Sequence, residues 1–154
     1  MKKFFWPLLC LVLLASCNRS KIFERYEDID NNKWAKDKIL TFEVNIEDTA
    51  SLYDIELQIR HSSYYVYADI LVNLMIVYPN GEERTKDYDL MLRNKDGSFK
   101  AEGAGDLWDI SFPLLEKINL NERGKYIFKI QNIMPRTETD DIMQVGLTVK
   151  KSKQ

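Results

Sequence analysis

With 154 residues, 45% of them hydrophobic and 30% charged, the chain has the composition of one globular domain rather than of a disordered segment. A formal net charge of −2 argues against nucleic acid or an anionic membrane surface as partner. Two cysteines, Cys10 and Cys17, exclude a disulfide-rich framework and a cysteine zinc cluster.

The chain opens with Lys2 and Lys3, runs through an apolar stretch from Phe4 to Leu14 broken by Pro7, and reaches Leu14-Ala15-Ser16-Cys17. A basic start, an apolar middle and small residues before a cysteine are the order of a lipoprotein signal peptide, so residues 1–16 are expected to be removed and Cys17 acylated. The apolar stretch is shorter than the ~20 residues of a spanning helix. The remaining 154 − 16 = 138 residues carry a formal charge of 20 − 24 = −4 and no free thiol. Residues 17–25, with Arg19, Lys21 and Arg25, read as a short lipidated tether that keeps the following domain close to headgroups. Residues 26–151 read as a single domain and 152–154 as a C-terminal tail.

Beyond the tether the hydrophobic period is two. Leu40, Phe42, Val44 and Ile46 alternate with polar residues, as do Ile55, Leu57 and Ile59, then Tyr126, Phe128 and Ile130, then Val145, Leu147 and Val149. Each pattern predicts a half-buried strand. Residues 70–78 are apolar on both faces and predict a central strand covered on both sides. Pro79-Asn80-Gly81 and Asn94-Lys95-Asp96-Gly97 supply residues that accept left-handed backbone, and both read as hairpin turns. Only Pro113-Leu114-Leu115-Glu116-Lys117 predicts a helical turn. Strands recurring every ten to fifteen residues predict an all-β fold, an antiparallel two-sheet β-sandwich of jelly-roll or immunoglobulin-like type.

Catalytic chemistry finds little support in these residues. Hydrolysis by a nucleophile needs a base beside it, and His61, in Arg60-His61-Ser62-Ser63, is the only histidine; there is no Gly-x-Ser-x-Gly elbow. His61 reads as a polar residue where a strand meets a loop. Oxygen donors cluster at Glu27, Asp28, Asp30, Asn31 and Asn32, and at Glu138, Asp140 and Asp141, without the glycine placement of a calcium loop, so both read as solvated acidic loops. Glu102-Gly103-Ala104-Gly105-Asp106 lacks the lysine of a phosphate cradle. No metal, cofactor or catalytic residue is implied. Aromatic residues are the stronger signal. Tyr64, Tyr65 and Tyr67 crowd the segment after His61, and with it form the candidate partner-binding site; Trp34 and Trp108 read as core.

Several segments, in order, carry a family likeness: Ile59-Arg60-His61-Ser62-Ser63-Tyr64-Tyr65, Leu71-Val72-Asn73-Leu74, Leu107-Trp108-Asp109-Ile110-Ser111-Phe112, Gly124-Lys125-Tyr126-Ile127-Phe128, and Ile142 to Lys151. Together, behind a lipoprotein signal, they resemble the gliding-motility lipoprotein GldH family of the Bacteroidetes. The resemblance implies a cell-envelope lipoprotein associated with the gliding machinery and type IX secretion, and offers no catalytic residues to carry over. The expected function is therefore a non-catalytic structural or assembly lipoprotein. It would be held to the membrane by the lipid on Cys17 and bind other envelope, gliding or secretion proteins. Asn18 after Cys17, and no acidic residue before Glu24, point to the outer membrane with the domain facing the periplasm. The alternative is a carbohydrate-binding lipoprotein, with a glycan stacked on an aromatic pair that includes Trp34 or Trp108 in a concave face.

Overall fold

Where apolar side chains alternate with polar ones, the chain extends and buries the apolar row. In the computed structural model, which describes residues 20–153, eleven strands follow in order: β1 (Lys21–Asp28), β2 (Lys33–Ala35), β3 (Leu40–Ile46), β4 (Leu52–Ser62), β5 (Asp69–Val77), β6 (Glu83–Met91), β7 (Glu102–Ala104), β8 (Leu107–Asn119), β9 (Gly124–Asn132), β10 (Glu138–Asp140) and β11 (Ile142–Lys151). They pair antiparallel into a five-stranded sheet, β1-β11-β4-β8-β7, a four-stranded sheet, β3-β9-β5-β6, and a ribbon of β2 with β10. The two main sheets enclose a core containing Phe42, Ile55, Leu57, Val72, Leu74, Tyr126, Phe128, Leu147 and Val149. The expected antiparallel β-sandwich is thus what forms. Both expected turns are present, with Gly81 and Gly97 at φ 86° and 85°.

Three elements differ from expectation. Residues 113–117 are not a helical turn but the second half of β8, paired with β4. The Leu114-Leu115 doublet looked helical because a bulge breaks the period of two: Pro113 faces Glu56 and Leu115 faces Ile55 across register shifts. Lys117 then takes φ 51°, with its N–H donated to Asp54 Oδ1 at 2.9 Å. Secondly, β5 is interior to its sheet but covered on one face only. Ile70, Val72, Leu74 and Ile76 are buried, while Leu71, Asn73, Met75 and Val77 are half-exposed on a face where Asn73 bonds Thr85 and Asp87 of β6. Thirdly, residues 21–25, expected in the tether, begin β1. Phe23 turns inward there and packs edge-on to Phe42 with ring centroids 6.4 Å apart. Only Asn18 to Ser20 separate Cys17 from the first strand. Cys17 and the signal segment lie outside the described residues.

One buried polar network holds the ribbon to the core. Asn132, fully buried, donates Nδ2–H to the Trp34 carbonyl at 2.8 Å and to Thr139 Oγ1 at 2.9 Å, and its Oδ1 accepts the Met134 N–H at 3.0 Å. Because the amide serves three partners in a fully buried site, Asn132→Ala leaves them unsatisfied and is expected to cost about 2–4 kcal/mol, read as a lowered urea midpoint with unchanged slope.

Candidate functional site

The candidate residues fall at the end of β4, where the chain leaves the sheet. His61 is the last inward residue of that strand, opposite Trp108 of β8 and Ile142 of β11. It does sit where the strand meets the loop, but fully buried rather than facing solvent. Its ring lies 4.7 Å from Phe99 and 5.6 Å from Tyr65 by centroids. Nδ1 is 3.0 Å from the Ser62 carbonyl, an acceptor, so Nδ1 carries the proton; Nε2 is buried without a hydrogen-bond partner. Burial, with the Arg93 charge as a lesser contributor, pushes the imidazole below its ordinary value, and the ring is neutral in the fold.

The loop after His61 is braced from several sides. Tyr65 is buried, donating its hydroxyl to the Asp69 carbonyl at 2.7 Å, and burial pushes that phenol well above its ordinary range. Tyr67 is half-buried, edge-on to Tyr65 at 5.6 Å, with the Arg136 guanidinium over it. Arg93 donates to the Tyr65 carbonyl at 2.6 Å and the Gly97 carbonyl at 2.7 Å while its guanidinium lies 3.8 Å from the Phe99 centroid. What remains exposed is the loop's outer surface: Tyr64 at 71%, Val66 at 77% and, across the β4–β8 pairing, Leu107 at 41%. Of the four candidate residues, then, the fold gathers His61, Tyr65 and Tyr67 into an internal aromatic brace and presents Tyr64. The sequence could not separate them, because Tyr64 and Tyr65 are adjacent and equally apolar.

The serines beside His61 are committed elsewhere. Ser62 Oγ donates to Asp141 Oδ1 at 2.8 Å, and Ser63 Oγ accepts the Trp108 Nε1–H at 3.0 Å. The acidic residues are likewise held by separate partners: Asp28 by Gln144, Asp30 by Lys38, and Glu138 and Asp140 by Lys33. Among the described residues no group of three or more histidine, cysteine or carboxylate side chains is placed to hold a metal ion.

Trp34 is fully buried, donating its Nε1–H to the Lys38 carbonyl at 3.0 Å. Trp108 is half-buried rather than core, and a Cβ at Gly103 would come within 2.4 Å of its ring. Neither forms the coplanar exposed pair that an aromatic sugar platform built on tryptophan requires.

The family model for the GldH lipoproteins matches residues 21–149, from the start of β1 almost to the end of β11. The chain belongs to the GldH lipoprotein family. A gliding motility lipoprotein GldH homolog from Christiangramia forsetii is 28% identical over 154 residues, covering 94% of this chain and 93% of that protein. The gliding motility lipoprotein GldH of Flavobacterium johnsoniae is 25% identical over 119 residues, 77% of this chain and 73% of its own. Solved structures align more loosely. One from Sulfurospirillum deleyianum has TM-score 0.40 at 18% identity, covering 86% of this chain and 99% of that one. TmCBM61 in complex with β-1,4-galactotriose has TM-score 0.39 at 10% identity, covering 89% and 92%. Likeness at that level carries no argument. Within the GldH fold, the matched span takes in His61 and its whole brace.

The buried neutral imidazole has a pH consequence. Its folded pKa lies below its unfolded one, so below about pH 6.5 the unfolded chain binds the extra proton and stability falls as pH drops. Thermal melts of the wild type between pH 7.5 and 5 are expected to show this loss, and His61→Leu to flatten it over that window.

Proposed function

We propose that this GldH-family lipoprotein is a non-catalytic assembly component of the gliding and type IX secretion apparatus. On this reading it is anchored in the outer membrane through the lipid on Cys17, faces the periplasm and engages another envelope protein through the tip carrying Tyr64 and Val66. The observation behind this is the polarity of the sandwich. β1 starts at Lys21, beside Lys150 of β11, and Leu52 of β4 sits at that same end opposite Asn119. Tyr64, Val66 and Leu107 lie at the other end, beyond Ser62. β4 alone covers about 33 Å between the two ends, ten rises of ~3.3 Å. Four residue steps from Cys17 to Lys21 reach at most ~14 Å, so the lipid holds one end at the headgroups while the exposed aromatic tip projects away.

An exposed tyrosine and valine on a braced loop suit a protein interface, because little conformational freedom is lost on docking. The test is affinity capture of the lipidated protein from native outer membranes, with mass spectrometry of the recovered proteins. Recovery of gliding or secretion components in fixed proportion supports the reading, and recovery of the protein alone contradicts it.

A further inference from the structure

The outer face of the five-stranded sheet carries a second surface of different chemistry. A groove of about 760 Å³ crosses it, within the size range of small-molecule sites. From one edge of the sheet toward the other it is lined by Tyr26 of β1, Gln144 of β11, Gln58 and Arg60 of β4, and Asp109 and Ser111 of β8. Four strand spacings of ~4.8 Å separate β1 from β7, so the groove lies across some 19 Å, several times the width of one sugar ring.

The floor is shaped at Gly146, in the interior of β11, where a side chain would ordinarily strengthen the strand. A Cβ there would lie 2.4 Å from Tyr26 Cδ1 and 3.2 Å from Gln58 Oε1. The missing side chain lets the Tyr26 ring settle over the sheet beside the Gln58 amide, with 44% of the residue exposed. That amide is loosely held: Oε1 is shielded from solvent without a hydrogen-bond partner, and Nε2 reaches only Ser111 Oγ at 3.5 Å. Beside it, Arg60 donates to both oxygens of Asp109, at 2.7 and 2.9 Å, a bidentate pair that fixes an array of donors and acceptors on the groove wall. Gln144 is set by its bond to Asp28 at 2.8 Å.

We infer that this groove binds an uncharged oligosaccharide, a ligand the assembly function does not require. The charges in the lining cancel, Arg60 against Asp109 and Lys100 against Glu102, which leaves no net field to hold a phosphate, sulfate or uronate. An ion pair stands among its lining side chains, and charged residues are depleted from the core of a protein interface. A tyrosine ring beside fixed amide, guanidinium and carboxylate groups matches a sugar, whose C–H face packs on the ring while its hydroxyls both donate and accept.

The test presents the lipidated full chain, in nanodiscs free of sugar detergents, to a panel of neutral oligosaccharides: β-glucans, β-galactans, α-mannans and dextrans, with phosphorylated and uronate-bearing glycans as controls. At least one neutral glycan is expected to bind with a Kd below about 1 mM. Tyr26→Ala is expected to weaken it about tenfold, a loss typical of one aromatic contact. Asp109→Asn, which keeps the shape but breaks the ion pair, checks the wall independently, and thermal melts confirm that both variants fold. No binding by any neutral glycan at millimolar concentration, binding by charged glycans alone, or neutral binding that survives both variants would each overturn the assignment.

Discussion

Alanine at Tyr64 is expected to reduce partner capture at least tenfold while leaving the melting temperature almost unchanged, whereas alanine at the adjacent Tyr65 is expected to lower the melting temperature. Tyr64 is 71% exposed and its hydroxyl serves no internal contact, so truncation removes contact area from the tip without opening the core. A hot-spot tyrosine in an interface is commonly worth about 2 kcal/mol or more, which exceeds tenfold in affinity. Tyr65 is 1% exposed, packs against His61 and Tyr67, and anchors its hydroxyl on Asp69. Its loss leaves a large cavity and an unanswered carbonyl, about 3–5 kcal/mol out of a total of roughly 5–15. A melting-temperature drop on the order of 10 °C follows. Differential scanning fluorimetry and quantitative capture on the same two variants check both halves.

The second large effect concerns the anchor. With an ordinary secretory signal in place of residues 1–16 and Cys17→Ala, the exported protein is expected to leave the membrane fraction and keep its fold. No described residue between 20 and 153 belongs to a helix long and apolar enough to cross a membrane. The domain's own cohesion comes from β1 onward, where Lys21 to Asp28 pair along β11. On the proposed reading, losing the lipid also removes the confinement that would keep the tip near a membrane-bound partner. Capture is therefore expected to fall roughly 100-fold even though Tyr64 and Val66 are unaltered. Fractionation with quantitative blotting, followed by capture at matched concentration, measures both consequences.

These contrasts also show what was legible in the residues. Strands β3, β4 and β9 announced themselves because one face is buried and the other wetter, so the period of two survives in the sequence; β11 is buried on both faces from Val145 to Val149 and kept the period because Gly146 and Thr148 occupy its second face. The β8 bulge erased that period locally, and Leu114-Leu115 gave a helical signal which pairing with β4 overrode. β1 was hidden by its charges: Lys21, Glu24, Arg25 and Glu27 pair with one another on an edge strand that turns only Phe23 well inward. At the candidate site, clustering of aromatics was visible but burial was not, since it depends on Arg93 and Phe99, some thirty residues downstream, closing over His61 and Tyr65. The groove left one trace, Gly146 in the middle of an otherwise continuous strand, a position that reads as close backbone approach. Its partner Tyr26 lies 120 residues earlier, and only the β1–β11 pairing brings the two together.

The most direct test of the central claim is site-specific photocrosslinking in native membranes, with the crosslinker placed in turn at Val66 on the tip and at Asn45 on the exposed face of the four-stranded sheet. The account predicts a discrete adduct with an envelope protein from position 66 and none from position 45. Adducts from position 45 alone, or none from position 66, would contradict it.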